Sequence, residues 1–515
     1  MKPTLAIVIS CILAPLAVSA NAVATSANAV AAKADATQHS QAVVNSAAAG
    51  SLAAGALDAS TTSLTVTGEV NAADLYAIGN TMSSLSSLDL SGATITAYDS
   101  STPINGACKY AAGEIPVMAF MGLPISSLVL PTAPVSIGAG AFAATALTAV
   151  DLSGANITAI GDGAFQHCLS LETAKLGDAP CGVNTFYGCT ALQTVTVAST
   201  VTDGQFGACT SLATVANAEH VTTIGKGAFK GCTSLGVIDL GDCLTTIGAS
   251  AFEGSGLTAV QFTDNSSLTT VGDRAFASCH RLAGATFGDA TASLGTGVFF
   301  DCPSLSSVTL PGAMSALADH SFAGDKMLRD INIGDTDITS IGEYALYNTS
   351  SVTTLTLPAE VVSLGDGAME GMTGLTTVDV TALGEVPALG TDVFAGIDQA
   401  NVSLLVSIDN GDEFAAADQW KEFKINRPSS SKPAVVEAVR SSGVYARFEG
   451  MNLQIESRGA DLTGVSVYSL DGTALLNARA EGTSFVADTS DLSGSVFIVT
   501  ATTADNRRHA IKILR

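Results

Sequence analysis

Residues 224–240 read Ile-Gly-Lys-Gly-Ala-Phe-Lys-Gly-Cys-Thr-Ser-Leu-Gly-Val-Ile-Asp-Leu. The same phrase returns along much of the chain, and a second clear copy runs from Ile160 to Leu176. Its central aromatic residue recurs at Phe120, Phe142, Phe165, Phe186, Phe206, Phe229, Phe252, Phe276, Phe299 and Phe322. Leu346, Met369 and Phe394 then take its place. Steps of about 23 residues predict a solenoid in which each repeat forms one coil.

Each repeat combines a short strand with a tight turn. The segment Leu-x-x-Val-x-Leu, as in Leu147, Val150 and Leu152, predicts a strand with these three side chains directed inward. The Gly that precedes x-x-Ala-Phe permits the sharp bend of the turn. One coil cannot bury its apolar residues alone, so stacking of coils must form the core. The period favours a leucine-rich-repeat solenoid, mainly β with short helical or 3-10 turns.

Cysteine recurs in one slot of the repeat, three residues after the central aromatic. Of the ten cysteines, six lie there: Cys168, Cys189, Cys209, Cys232, Cys279 and Cys302. Other coils place Thr145, Ser255, Asp325 or Thr349 in the same slot. Because this slot selects small side chains, we expect a ladder of buried free thiols. Cys181 with Cys189 is the pair for which a disulfide stays open.

The composition excludes several classes of function. Of the 515 residues, 47% are hydrophobic and only 13% are charged, which argues against disorder for most of the chain. The net charge of −25 would repel the phosphates of nucleic acid. It equally disfavours docking on an anionic bilayer through a basic patch. No internal run is long and apolar enough to predict a membrane span.

Composition shifts divide the chain into six segments. Lys2 followed by an apolar stretch predicts a secretory signal peptide, hence a secreted or outer-surface protein after its cleavage. The residues after 437 alternate in short strands with Gly-containing turns, which predicts a small all-β sandwich. The expected boundaries are a signal peptide at 1–22, a low-complexity leader at 23–60, an N-terminal cap with the first repeat at 61–114, the solenoid at 115–427, a linker at 428–436 and the β-sandwich at 437–515.

No catalytic or metal-binding pattern competes with the repeat. Gly-x-Gly, as at Gly161 and Gly163, recurs in one repeat slot, so it reflects bend geometry rather than a phosphate loop. The six histidines are scattered, and His167, His280 and His320 occupy different repeat slots, whereas a zinc site needs three or four convergent ligands. We therefore predict a protein without enzymatic activity, cofactor or metal.

The outward side chains of the strands are the candidate binding face. Short polar side chains with few aromatics suit a broad, shallow contact with an extracellular or host protein. A glycan is the alternative ligand, although aromatic platforms would be expected for it. A third interpretation treats this face as merely solvated, with the partner at residues 91–114. The candidate residues are Asp151, Glu172, Lys175, Gln193, Asp239, Gln261, Arg329, Asn332, Thr356 and Asp379.

The repeat of residues 115–425 resembles the BspA-like leucine-rich repeats of bacterial surface proteins. The phrase Ile-Gly-x-x-Ala-Phe-x-x-Cys-x-x-Leu-x-x-Val-x-Leu carries this resemblance, and residues 416–425 are similar to the helix that closes such arrays. Members are associated with adhesion to host proteins or to other bacteria. The resemblance therefore implies a binding function and leaves the ligand open.

The last domain resembles the C-terminal sorting domain of type IX secretion cargo. The resemblance rests on residues 467–472, on Leu492-Ser493-Gly494 before the strand at 496–499, and on the Lys512 to Arg515 end. Such domains usually carry Gly-x-Tyr where this chain has Gly494-Ser495-Val496-Phe497. The resemblance implies export by the type IX machinery and leaves open whether the tail is cleaved.

Overall fold

The computed structural model describes residues 41–46, 48–53, 57–154, 156–262, 267–288, 290–407, 409–427, 444–449, 452–457, 460–469, 473–489, 496–504 and 508–514. The predicted signal peptide and linker lie outside these residues. The chain divides into two units, Met1–Arg427 and Pro428–Arg515, which are described separately.

The N-terminal unit begins with a parallel sheet and a capped helix. Strand β1 (Gln41–Ser46) pairs in parallel with β2 (Ser63–Val70), although its residues belong to the segment that composition presents as a leader. Helix α1 (Ala72–Thr81) follows, and the side chain of Asn71 caps it. The next strands are β3 (Ser87–Ile95), β4 (Tyr98–Ile104), β5 (Ala107–Tyr110), β6 (Glu114–Ile115), β7 (Ser127–Val129) and β8 (Val135–Ile137).

Asp74 fastens this start of the chain together. Its Oδ1 accepts hydrogen bonds from the backbone N–H groups of Leu52 (2.9 Å) and Ala53 (3.1 Å). Its Oδ2 accepts from Gly50 (2.6 Å) and Asn71 (3.0 Å). One buried carboxylate thus joins the first turn of α1 to the loop at residues 50–53.

The repeats contribute short strands in regular succession. The first are β9 (Ala149–Asp151), β10 (Ile157–Ile160), β11 (Thr173–Lys175), β12 (Thr194–Thr196), β13 (Thr200–Val201), β14 (Thr214–Ala216), β15 (Thr223–Ile224), β16 (Thr246–Ile247), β17 (Ala259–Phe262) and β18 (Thr270–Val271). They continue as β19 (Gly284–Phe287), β20 (Ser293–Leu294), β21 (Ser307–Thr309), β22 (Ala316–Leu317), β23 (Asp330–Ile331), β24 (Ser340–Ile341), β25 (Thr354–Thr356), β26 (Ser363–Leu364), β27 (Thr377–Asp379), β28 (Ala388–Leu389), β29 (Ser403–Leu405) and β30 (Lys424–Asn426).

These strands form two series of parallel sheets. One series contains β9-β11-β12-β14, β17-β19-β21-β23 and β25-β27-β29-β30, and it carries the predicted Leu-x-x-Val-x-Leu strands. The other contains β6-β8-β10, β13-β15-β16-β18-β20 and β22-β24-β26-β28. Helical structure in this unit is confined, among the described residues, to α1, α2 (Gly411–Ala416) and short 3-10 turns at Ala218–His220, Ile333–Asp335, Gln399–Asn401 and Trp420–Glu422. The prediction of a mainly β repeat solenoid is confirmed.

The copy of the repeat at residues 224–240 lacks the strand that the pattern predicts. Residues 235–240 form no strand, and Ile238 and Leu240 are only partly buried. In the preceding coil Asn217 adopts a left-handed φ of 63° and leads into the 3-10 turn Ala218–His220. This turn directly follows β14, which is the last strand of its sheet, and the next coil does not continue that ladder.

The central aromatic residues stack into one continuous spine. Ring centroids of successive phenylalanines from Phe120 to Phe322 lie 5.3–5.7 Å apart, in near-parallel stacks. All ten rings are fully buried. Leu346 and Met369 continue the row, and Phe394 meets Trp420 edge-on at 4.8 Å. Trp420 and Phe423 thus bury the end of the spine.

The cysteine slot forms a second internal row. The six thiols are buried and free, which confirms the predicted thiol ladder. Cys181 and Cys189 are both free as well. Each of the six donates a hydrogen bond of 3.1–3.2 Å to the carbonyl oxygen of the central phenylalanine of the preceding coil.

The C-terminal unit is antiparallel. Strands β31 (Val444–Glu449), β32 (Asn452–Ser457) and β35 (Ser484–Asp488) form one sheet in the order β31-β32-β35. Strands β33 (Leu462–Tyr468), β34 (Ala474–Arg479), β36 (Val496–Thr503) and β37 (Arg508–Leu514) form the other, in the order β34-β33-β36-β37. Leu453 and Ile455 of the first sheet share a hydrophobic cluster with Val465, Val467 and Phe497 of the second.

Candidate functional site

The outward side chains of the first sheet series form what we call the strand face. Inward and outward residues alternate along each strand: in β11, Ala174 is buried while Thr173 and Lys175 are exposed. Because neighbouring strands are in register, residues in the same slot form rows across the coils. Lys175 is aligned with Asp151 and with Thr196.

Two of the predicted face residues form an ion pair. The Nζ of Lys175 lies 3.2 Å from Oδ2 of Asp151, and both side chains are more than half exposed. The hydroxyl and the backbone N–H of Ser153 also donate to Asp151, at 2.6 and 3.1 Å. These bonds from Ser153, followed by the Lys175 ammonium, lower the pKa of Asp151. The ion pair places a positive and a negative charge side by side on the strand face. It contributes little to stability, because water screens the attraction.

The other predicted residues occupy several positions. Gln261, Thr356 and Asp379 lie in β17, β25 and β27. Glu172, Gln193 and Arg329 are exposed but immediately precede β11, β12 and β23. The three sheets keep these groups on separate segments of the face, so they form no single cluster.

Of three further predicted residues, two have local structural partners. Asp239 lies in the coil that forms no strand. Asn332 bridges to the neighbouring coil: its Oδ1 accepts from Leu310 N at 2.7 Å, and its Nδ2 donates to Leu310 O at 3.2 Å. Asp379 accepts from the backbone N–H and the hydroxyl of Thr381, at 2.9 and 2.6 Å. Its carboxylate, like that of Asp151, closes a turn at the end of the strand.

A row of hydroxyl groups was missed by the sequence reasoning. Thr173, Thr194 and Thr214 are exposed and aligned on three successive strands. The period of two, counted back from inward residues such as Ala174, would have identified them. The outward positions of the twelve strands in these three sheets carry no aromatic side chain.

A shallow depression interrupts the face near its N-terminal end. It measures about 320 Å³ and is lined by Leu128, Val129 and Pro131 on one side and by Val150 and Asp151 on the other. Its apolar part is accessible, since Val129 is 46% exposed. It lies where β7 and β9 belong to different sheets.

The described residues contain no group of three or more His, Cys, Asp or Glu side chains placed to hold a metal ion. Within the same residues, every helix is too short or too polar to cross a bilayer.

Comparison with known proteins identifies the repeat. The BspA type leucine rich repeat region matches in six copies, over residues 113–205, 199–329 and 292–415, which is more than half of the chain. No curated protein sequence matches.

Several solved structures are similar to this chain. A leucine-rich repeat protein from Bacteroides ovatus ATCC 8483 is 19% identical, over 72% of this chain and 84% of that chain, with a TM-score of 0.49. A leucine rich cell surface protein from Faecalibacterium prausnitzii A2-165 is 22% identical, over 55% of this chain and 81% of that chain, with a TM-score of 0.33. The T. pallidum leucine rich repeat protein is 20% identical, over 40% and 83%, with a TM-score of 0.25. On the evidence of its repeats, the chain belongs to the BspA type leucine-rich repeat family.

Proposed function

We propose that this chain is a secreted or cell-surface protein that binds an extracellular or host protein through its strand face and catalyses no reaction. The observation that carries the proposal is the in-register stacking of outward polar side chains, such as Lys175 between Asp151 and Thr196. Stacked coils fix these side chains on rigid strands, so a partner can bind without ordering a mobile surface.

The dimensions of the strand face support a protein partner. Twelve strands at about 4.8 Å spacing extend over roughly 60 Å. A face of that length is compatible with the roughly 800 Å² that each partner buries in a standard interface. Open, shallow geometry favours such a contact over a deep pocket for a small molecule.

A glycan is the second candidate ligand for the same face. The aligned hydroxyls of Thr173, Thr194 and Thr214 favour it, because they offer donors and acceptors at the spacing of the strands. The absence of aromatic side chains from the outward positions of the twelve strands weighs against it.

For the C-terminal unit we propose a β-sandwich sorting domain that directs export by the type IX machinery. Its two antiparallel sheets and their shared cluster around Val467 and Phe497 support this. Several residues that carry the resemblance, including Asp471, Gly472 and Leu492 to Ser495, lie outside the described residues. Deletion of residues 437–515 should then prevent surface display, while normal display of the shortened chain would contradict the proposal.

The binding function is tested by screening the full chain against immobilised extracellular-matrix proteins and a glycan array. A protein hit should weaken about tenfold or more in the Lys175→Glu, Arg329→Glu double variant, because both side chains are exposed on or beside the strand face. Lys226→Glu is the matched control, since this exposed lysine lies in a Gly-x-x-Ala-Phe turn.

Each outcome of the screen decides between the candidates. Equal weakening by Lys226→Glu would show charge attraction without a site on the strand face. Binding to glycans alone would replace the protein partner by the second candidate. Asp379 is a poor choice for this test, because its carboxylate also closes a turn with Thr381.

A further inference from the structure

Exposed aromatic and cationic side chains form a row along the Gly-x-x-Ala-Phe turns, which we call the turn ridge. The guanidinium carbon of Arg274 lies 5.0 Å from the ring centroid of Phe300. The row continues from Phe300 to His320 (6.5 Å), from His320 to Tyr344 (5.4 Å) and from Tyr344 to Tyr347 (5.8 Å). All five side chains are partly exposed. They come from two repeat slots on four successive coils.

A glycine makes room for one ring of this row. A Cβ on Gly297 would make only ordinary contacts, 3.5 Å from Phe300 and 3.6 Å from Arg274. A Cβ on Gly367 would collide with Cε1 of Tyr344. Both glycines have positive φ, 61° and 57°. The turn geometry therefore favours glycine at both positions, and at Gly367 the ring of Tyr344 favours it as well.

At one end of the ridge the chain binds one of its own arginines. The Nη2 of Arg274 lies 3.2 Å from Oε1 of Glu253, and its guanidinium carbon lies over the ring of Phe300. Glu253 also pairs with Lys230 at 2.9 Å. A ring and a carboxylate together therefore hold a guanidinium on this surface, in agreement with the attraction of cations to aromatic faces.

At the other end the ring and the carboxylate are present without a cation. The Cβ that would collide with Tyr344 would also lie 3.1 Å from Oε2 of Glu370, so this carboxylate and the ring both lie against Gly367. Glu343, which precedes Tyr344, is exposed. Within the described residues, neither glutamate forms a salt bridge. Asp366, nearby in the next turn, uses Oδ1 to accept from Thr391 N at 2.7 Å.

The surrounding sequence is strongly acidic. Residues 330–420 contain fifteen Asp and Glu but no Lys or Arg. Such one-sided charge creates a negative potential over several coils and attracts cationic ligands. The rings at Tyr344 and Tyr347 lie within this segment.

We propose that the turn ridge around Tyr344 and Tyr347 binds an arginine-bearing basic segment of a partner protein. The guanidinium would stack on a tyrosine ring and donate to Glu370 or Glu343, as Arg274 does with Phe300 and Glu253. Arginine fits better than lysine, because its planar group can stack and donate two hydrogen bonds at once. This surface is separate from the strand face and does not depend on the function proposed for it.

The test measures binding of a fluorescent nona-arginine peptide to the full chain at about 150 mM salt, where long-range attraction is largely screened. The expected result is tighter binding of nona-arginine than of nona-lysine. The Tyr344→Ala, Tyr347→Ala double variant should lose about tenfold in affinity for nona-arginine, because two stacking contacts of about 0.5–1 kcal/mol each disappear. Glu370→Gln should weaken binding in the same direction.

Two variants keep the test specific. Tyr344→Phe retains the ring and should bind as the unmodified chain does. Tyr187→Ala removes a ring from the same repeat slot as Tyr347, outside the acidic segment, and should leave affinity unchanged. Thermal unfolding of each variant shows whether it is folded. If the double tyrosine variant is unfolded, the affinity of Glu370→Gln for nona-arginine decides the test.

Three results would overturn the proposal. Equal affinities for the arginine and lysine peptides, unchanged in the tyrosine and glutamate variants, would indicate charge attraction alone. Equal loss in Tyr187→Ala would place the peptide elsewhere. Binding of a neutral cello-oligosaccharide that is abolished by the tyrosine variants, without an effect on the peptide, would make the ridge a glycan platform.

Discussion

The Sγ atom of Cys232 lies 3.2 Å from the carbonyl oxygen of Phe206, the central residue of the preceding coil. The same bond recurs at the other five cysteines of the slot, as in Cys168 to Phe142. Hydroxyl residues satisfy the slot differently, since Thr145 donates to the carbonyl of its own coil, Phe142, at 2.9 Å. In both cases a small donor bonds to a main-chain carbonyl oxygen, and this explains why Cys and Thr interchange in the slot.

Native Cys232 should react with thiol reagents far more slowly than Cys243. Burial raises the pKa of the Cys232 thiol well above its ordinary value, whereas Cys243 is exposed. Only the thiolate reacts, so burial and a raised pKa act in the same direction. Timed alkylation followed by peptide mapping measures both rates. Comparable rates in the native protein would rule out the buried ladder, and denatured protein provides the control.

Phe229→Ala should destabilise the array by about 3–5 kcal/mol. The ring is fully buried and stacks on Phe206 at 5.5 Å and on Phe252 at 5.4 Å, so its removal leaves a cavity inside the spine. Denaturant unfolding gives the loss, and hydrogen exchange should show faster opening in the two neighbouring coils. Phe300→Ala, on the partly exposed ridge, should cost less. Equal losses would mean that the spine is not the main source of stability.

Asp325→Asn should make the protein more stable at neutral and alkaline pH. The Asp325 side chain is fully buried: Cys302 N donates to its Oδ1 at 2.7 Å, while Oδ2 has no partner among the described residues. Burial raises the pKa of this carboxyl well above its ordinary value. The folded state then disfavours ionisation, so stability falls as pH rises above the unfolded pKa of about 3.9, until the folded pKa is passed.

The size of this effect follows from the shift in pKa. Each unit of elevation costs about 1.4 kcal/mol once the group is ionised. The penalty is measured from the melting temperatures of the unmodified chain and of Asp325→Asn between acid and alkaline pH. The difference between the two melting temperatures should widen as pH rises. Asp178→Asn, at an exposed aspartate in a distant coil, is the control and should follow the unmodified chain. A difference in melting temperature that stays constant across the pH range would refute an ionisation penalty at Asp325.

Asp74→Ala should release the N-terminal segment. The carboxylate accepts four backbone hydrogen bonds, from Gly50, Leu52, Ala53 and Asn71. Bonds to a charged group contribute about 1.5–3 kcal/mol each, and the buried donors would lose their acceptor. Limited proteolysis should then cleave near residues 48–53 first. Asp58→Ala is the control, because this aspartate bonds only within its own turn, to Ser60. Unchanged protection in Asp74→Ala would contradict the role of the carboxylate.

Much of the fold follows from the repeat. The spacing of Phe120 to Phe322 predicted one ring per coil, and stacking of identical slots made their contact unavoidable. The inward residues of strands such as β11 were predictable for the same reason, since alternation within a strand is a local property. The irregular coil was not predictable, because residues 235–240 keep the repeat pattern and yet form no strand.

The binding surface was only partly predictable. Lys175 and Asp151 were assigned to one face from their slots, and their register brings them within 3.2 Å. The turns that use the carboxylates of Asp151 and Asp379 depend on Ser153 and Thr381, which follow the strands. Asn332, whose amide bonds to Leu310 in the coil before, carries no signal of that role in its own repeat.

By itself the sequence determined the period, the residues of the core and the small-side-chain slot, because each coil repeats the same local pattern. Only the tertiary structure decided which side chains meet across coils. Arg274, His320 and Tyr344 share one slot of the repeat and Phe300 occupies another, and the period alone does not show that the two slots are in contact. They form one row because stacking places the turns of successive coils side by side, and Gly367 leaves space for the ring of Tyr344.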